Sequence, residues 1–116
     1  MCIVAVDADS GSLEELKRKL AEIFEHDSVA AFTSPLEALK FAESNKIDLL
    51  FTDVRLRPFD GYELIKALRQ KQSFYAYIVS GTKEHPDDLG WMNVNGYLSK
   101  PVSLGELTEI KNITAC

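Results

Sequence analysis

The sequence is poor in cysteine, in excess positive charge and in long apolar runs, and each shortage closes off a class of protein. Its 116 residues hold 2 cysteines, Cys2 and Cys116, near opposite ends of the chain. Two thiols so placed are read as reduced and unpaired, not as a disulfide framework, and no chemistry is assigned to them. Lys and Arg number 13 against 18 Asp and Glu, a formal net charge of -5. That balance offers no electrostatic footprint for nucleic acid or for an anionic membrane surface, so neither is an expected direct partner. The apolar runs are only a few residues long, too short for a transmembrane span. No basic stretch followed by a hydrophobic segment opens the chain as a secretory signal would. The expectation is a soluble protein of the cytoplasm. Repeats, low-complexity tracts and linker-like composition are also lacking, which points to one domain over residues 1–116.

What is present alternates. Runs rich in β-branched and aromatic residues occur at CIVAV (2–6), VAAF (29–32), DLLFT (48–52), FYAYIV (74–79) and GYL (96–98), and predict five strands. Between them lie segments of helical period. The first places Leu13, Leu16, Leu20, Ile23 and Phe24 on one stripe, with Ser12 as N-cap and Glu15 three residues later as a capping box. The second opens with Ser34 as cap and Pro35 at the first helical position. Its inner face is read as Leu36, Leu39 and Phe41 or Ala42, and it ends at Asn45–Lys46. The third, YELIKALRQK (62–71), follows Asp60-Gly61 and turns Leu64, Ile65 and Leu68 inward. A fourth, EHPDDLGWMNVN (84–95), holds Pro, Gly and two Asn and is expected to make one or two turns at most. The fifth runs from Ser103 with Leu104, Leu107, Ile110 and Ile113 as its apolar face. Strands alternating with helices imply an α/β domain, a doubly wound parallel sheet covered on both faces.

In such sheets ligands bind beyond the carboxyl ends of the strands, where the strand order reverses. The first strand ends on Asp7 and Asp9, the third on Thr52 and Asp53, the fourth on Ser80 and Gly81, and the fifth on Ser99, Lys100 and Pro101. Singly, each Asp is a common turn or cap residue and Lys100 a common solvated turn lysine. Together they are what a phosphoryl site requires. Three converging carboxylates call for a cation, and an all-oxygen set suits Mg²⁺. An Asp can act as nucleophile on phosphorus while Lys100 neutralises the phosphoryl oxygens and Ser80 donates a hydrogen bond.

These segments resemble the receiver domain of two-component response regulators along essentially the whole chain. FTDVRLRPFDGYELI (51–65) is similar to the family's third-strand segment, which makes Asp53 the phosphoacceptor. IVSG (78–81) is similar to the fourth-strand end, with Ser80 and Gly81 beside the phosphoryl group. GYLSKPV (96–102) is similar to the fifth-strand end, with Lys100 as the phosphate-binding lysine before a cis Lys100–Pro101 bond, and Tyr97 as the switch aromatic. TSPLEALKFAESNKIDLLFTD (33–53) shares the family cadence, most in the style of receivers joined to LytTR-type DNA-binding domains.

The resemblance implies a flavodoxin-like strand order 2-1-3-4-5 and Mg²⁺ held by Asp7, Asp9, Asp53 and the backbone carbonyl of Arg55. It implies a sensor histidine kinase as phosphodonor. A responsive face on the fourth helical segment, fifth strand and fifth helical segment would address an output domain or a second receiver. The protein would be a switch with slow self-dephosphorylation and not a conventional enzyme. The chain departs from the pattern in three places: Ala8 stands where a second adjacent acid is usual, Arg57 stands where a proline is usual, with Pro58 one residue later, and the fourth helical segment is short or irregular, which would alter the usual output surface. Ala8 gives weight to a pseudo-receiver, a protein-binding module with weak metal affinity. VDAD (6–9) also fits the opening of a D-x-D phosphatase, but the Gly-Thr that normally follows is replaced by Ser10-Gly11.

Overall fold

The computed structural model describes residues 1–81 and 94–115. Nine elements occur in it: β1 Cys2–Val6, α1 Ser10–Ile23, β2 Ser28–Phe32, α2 Pro35–Glu43, β3 Leu49–Thr52, α3 Gly61–Arg69, β4 Tyr75–Ser80, β5 Gly96–Ser99 and α4 Leu104–Thr114. The five strands form one parallel sheet in the order β2-β1-β3-β4-β5. The expected class and strand order are therefore observed. The predicted fourth helical segment lies almost wholly outside the described residues, so α4 here is the predicted fifth. Among the described residues no helix is long and apolar enough to cross a membrane.

Strand alternation divides the interior into two cores. On β1, Ile3 and Ala5 join Leu13, Leu16, Leu20, Phe24, Leu107 and Ile110 beneath α1 and α4. Val4 and Val6 point the other way, into a core with Ala38, Leu64, Ile65 and Leu68 beneath α2 and α3. Because both faces of the central strands are covered, β3 is buried at every position, as a continuous apolar run in a parallel sheet should be. Each large side chain removed from water here contributes about 1.5–3 kcal/mol.

Three local readings are corrected. Helix α1 begins two residues before Ser12 and is capped by Asp9, not by a Ser12/Glu15 capping box. Asp7 Oδ1 accepts from the Asp9 amide at 2.9 Å, which bends the chain directly after β1 and leaves Asp9 extended at the helix start. Its carboxylate then accepts from the Ser12 amide and hydroxyl. Helix α2 has the expected Ser34 cap and Pro35, but it is turned so that Pro35 and Ala38 are buried and Leu36 is exposed. Small Ala38 lets the helix approach the sheet closely, and Leu36 falls off that face. On α4 the Ser103 cap forms the expected start, with a capping box to Glu106. Only Leu107 and Ile110 are buried, while Leu104 and Ile113 lie at the edge of the stripe and stay exposed.

Helix α3 seats the site. Asp60 caps it in a box with Glu63, and the Gly61 amide donates to the Val54 carbonyl at 2.9 Å. A Cβ at Gly61 would stand 2.1 Å from the Asp53 carbonyl oxygen, so only glycine lets the helix start against the end of β3. Gly61→Ala is expected to cost about 3 kcal/mol or more in urea unfolding, because the obstacle is backbone and cannot swing aside. Gly105→Ala, on α4 where a Cβ meets nothing closer than 3.9 Å, is expected to stabilise by about 0.4–1 kcal/mol in the same assay.

Candidate functional site

The reversal of strand order falls between β1 and β3, and both strands end on an aspartate there. The Asp7 amide donates to the Phe32 carbonyl at 3.1 Å and the Asp53 amide to the Val6 carbonyl at 2.9 Å, so both acids continue the sheet's hydrogen bonding. Their side chains are also fixed by backbone. Asp7 Oδ1 accepts from the Asp9 amide, and Asp53 Oδ1 from the Val54 amide at 2.7 Å. Thr52, fully buried, donates its hydroxyl to the Asp53 carbonyl at 2.9 Å.

The remaining oxygen of each carboxylate meets the same cation. Lys100 Nζ lies 2.7 Å from Asp7 Oδ2 and 2.8 Å from Asp53 Oδ2. Asp7 is buried, and the side chains of Asp53 and Lys100 are 14% and 23% exposed. Burial pulls the Lys100 amine down, but its hydrogen bonds and charge contacts with Asp53 and Asp7 overcome this and hold its pKa above the ordinary lysine value. The amine is therefore cationic throughout the neutral range. The Lys100 amide donates to the Ser80 carbonyl at 2.9 Å, which holds the end of β5 against the end of β4, where Ser80 is buried and Gly81 exposed. The Lys100–Pro101 bond is cis as expected, and Arg57–Pro58 is cis as well.

Two carboxylates and one ammonium leave the triad with a net negative charge. Two carboxylate oxygens converging within hydrogen-bond reach of one atom form an all-oxygen donor set of the kind Mg²⁺ takes, so the residues present fit that ion. Asp9 does not join them. Its carboxylate serves as the α1 cap, and the hydrogen bonds from the Ser12 side chain and backbone hold its pKa below the usual value. Accordingly, no cluster of three or more His, Cys, Asp or Glu side chains suited to a metal occurs among the described residues. Arg55 lies exposed in the loop after Asp53, next to buried Leu56. Tyr97 sits half-buried on β5, opposite Ile78 of β4.

Sequence reasoning passed over Tyr62. It follows Gly61, is almost fully buried, and shares a hydrogen bond with Tyr97. Burial foremost, then the charge and hydrogen bond of Tyr97, push its hydroxyl up to about 12. Folding thus favours neutral Tyr62. That stability is present below pH 10, the ordinary tyrosine value, and is lost as pH rises through about 12. In an absorbance titration of the 4 tyrosines, Tyr62→Phe is expected to remove the component with a midpoint near 12. The loss of stability between pH 10 and about 12 should shrink in the same variant.

Comparison with known proteins agrees with this geometry. Residues 3–112 match the response regulator receiver domain family. The chain is 34% identical over 108 residues to the alkaline phosphatase synthesis transcriptional regulatory protein PhoP of Bacillus subtilis, covering 90% of this chain and 44% of that one. It therefore spans under half the length of this curated relative. Its fold superposes on a two-component response regulator from Clostridium difficile with a TM-score of 0.85 and 28% identity, over 97% and 94% of the two chains. A CheY-like receiver domain from Methylobacillus flagellatus gives 0.86 at 22% identity, over 98% of each. With the flavodoxin-like strand order and strand-end residues already in place, this chain belongs to the response regulator receiver domain family of two-component systems.

Proposed function

We propose that residues 1–116 act as one phosphoacceptor switch in which Asp53 takes a phosphoryl group from a phosphohistidine of a sensor histidine kinase. The observation that carries this reading is the single ammonium of Lys100 shared by Asp7 and Asp53 at the strand-order reversal. A carboxylate oxygen of Asp53 forms the new O–P bond as the P–N bond to the donor histidine breaks, and the donor ring, which carries a proton on its other nitrogen, keeps the bonding pair and leaves as a neutral imidazole. The Val54 amide holds Oδ1 and fixes the carboxylate plane, which leaves Oδ2 turned toward the crevice. Asp7, Asp53 and the Arg55 carbonyl would hold Mg²⁺, with Asp9 joining only by leaving its cap. When bound, the ion supplies positive charge to the phosphoryl oxygens. Lys100 gives up a carboxylate for a phosphoryl oxygen, Ser80 and the Gly81 backbone approach the group from β4, and Tyr97 follows to alter the β5 face.

Slow hydrolysis of the phospho-Asp53 acyl phosphate, in which water takes the phosphoryl group and frees the carboxylate, would return the domain to rest, a self-limiting reaction in place of turnover on a separate substrate. The output is proposed to be transcriptional, on the name of the Bacillus subtilis relative and on the length this chain leaves unmatched in it. The acidic balance of this domain argues that nucleic acid would be contacted by an attached output domain and not by the receiver itself, whose other proposed partner is a second receiver, and the cytoplasm is its proposed place.

One observation favours a second reading. Ala8 separates the two acids, and Asp9 is engaged by two bonds from Ser12, so metal affinity could be low enough for a pseudo-receiver that works by binding alone. Acetyl phosphate with Mg²⁺, followed by intact-mass measurement, separates the two. The switch reading expects one phosphoryl increment that vanishes in Asp53→Asn and on chelation of Mg²⁺. It also expects a rate lower on the order of 10²-fold in Lys100→Met, the usual loss when one stabilising donor is removed. A folded wild-type protein that takes up no phosphoryl group would establish the pseudo-receiver, and uptake that survives Asp53→Asn would refute the assignment of the acceptor.

A further inference from the structure

Helix α1 touches the site at both ends of its first three turns. Its cap, Asp9, lies two residues after Asp7 and is tied to it by the hydrogen bond that the Asp9 amide donates to Asp7 Oδ1. Further along, Lys19 reaches across to the segment between β5 and α4, where its Nζ donates to the Val102 carbonyl at 2.7 Å. Val102 lies two residues beyond Lys100 and is buried in the core beneath α1 and α4. That segment is thus pinned by an apolar side chain and by a charge-assisted hydrogen bond to its backbone, the stronger kind. The Lys19 ammonium is itself steadied by Glu15 one helical turn earlier, at 3.1 Å, and its side chain is only 19% exposed. Asp7, Lys19, Lys100 and Val102 all line one cavity of about 260 Å³ on the α1 side of the triad.

We propose that Lys19 is a positioning residue for Lys100, holding the segment that carries it so that one ammonium can bridge Asp7 and Asp53. The inference rests on the reading of Asp53 and Lys100 as the phosphoryl site. Lys19 acts on no phosphoryl oxygen itself. By gripping Val102 from the helix that also follows Asp7, it fixes the distance between two arms of the triad that lie 93 residues apart in sequence. A lysine bridging two oxygens at 2.7 and 2.8 Å has little tolerance for a shifted backbone, and displacements near 1 Å are enough to lose most of a positioned group's effect.

The test compares acetyl phosphate uptake in single and double variants. Lys19→Met is expected to slow uptake on the order of ten-fold. Lys19→Arg, which can still donate to the carbonyl, should recover most of that rate. In a Lys100→Met background, Lys19→Met should have no further effect, because its influence passes through Lys100. A general loss of stability would instead slow both backgrounds equally, and that additive outcome overturns the proposal, as does a Lys19→Met rate equal to wild type. If the wild-type protein takes up no phosphoryl group, the phosphoacceptor reading fails separately. The positioning role is then decided on the ligand-free crystal structure of Lys19→Met. Lys100 Nζ withdrawn from at least one carboxylate supports it, and Lys100 still bridging both overturns it.

Discussion

One ammonium between two carboxylates is the constraint on which the rest of this structure depends. Asp7 and Asp53 direct one oxygen each at the same point, and without Lys100 two negative charges would face each other there with no cation between them. Taking such charges out of water is costly, and the geometry offsets the cost because each of the four carboxylate oxygens accepts a hydrogen bond. The amides of Asp9 and Val54 fill the second oxygen of each acid. The cluster is thus satisfied but still negative, a state that favours further positive charge without requiring it for folding.

That cluster joins three distant parts of the chain, the ends of β1, β3 and β5, and the strand order is what makes the junction possible. With β1 beside β3, the two acids continue one ladder and their backbones are fixed by neighbouring strands. Lys100 then comes in from across β4, guided by its amide bond to Ser80. The helices complete the scaffold from both faces. On one side Gly61 allows α3 to begin against the Asp53 carbonyl, and on the other α1 starts from the turn that Asp7 itself closes. Fold and site are therefore a single packing solution, in which the residues that terminate strands also carry the charge.

Much of this was legible in the sequence because its signals are local and periodic. Five apolar runs marked five strands to within a residue or two, and Ser34-Pro35 and Ser103 marked two helix starts correctly. The strand-end residues Asp7, Asp53, Ser80 and Lys100 could be read in order. What could not be read depends on competition between neighbours. Ser12 with Glu15 has the pattern of a capping box, but Asp9 caps the helix first because the Asp7 side chain bends the chain ahead of it. Leu36 and Ile113 match a helical stripe yet lie outside it, since the contact with the sheet is centred on Ala38 in α2 and on Leu107 and Ile110 in α4. Tyr62 and Lys19 carried no sequence signal, for each gains its meaning from a partner in another element: Tyr97 for the first, the Val102 carbonyl for the second.

Ala8 concentrates the remaining chemical question in one place. It spaces Asp9 so that its carboxylate reaches the helix start in preference to the triad, and a metal would therefore rest mainly on Asp7 and Asp53. The most direct measurement is a crystal structure of the protein grown with Mg²⁺ and fluoroberyllate, a mimic of the phosphoryl group. The account predicts fluoroberyllate on Asp53, Mg²⁺ between Asp7 and Asp53, and Lys100 Nζ moved from a carboxylate to a fluorine. A structure in which Lys100 still bridges Asp7 and Asp53, with neither ion bound, would contradict it.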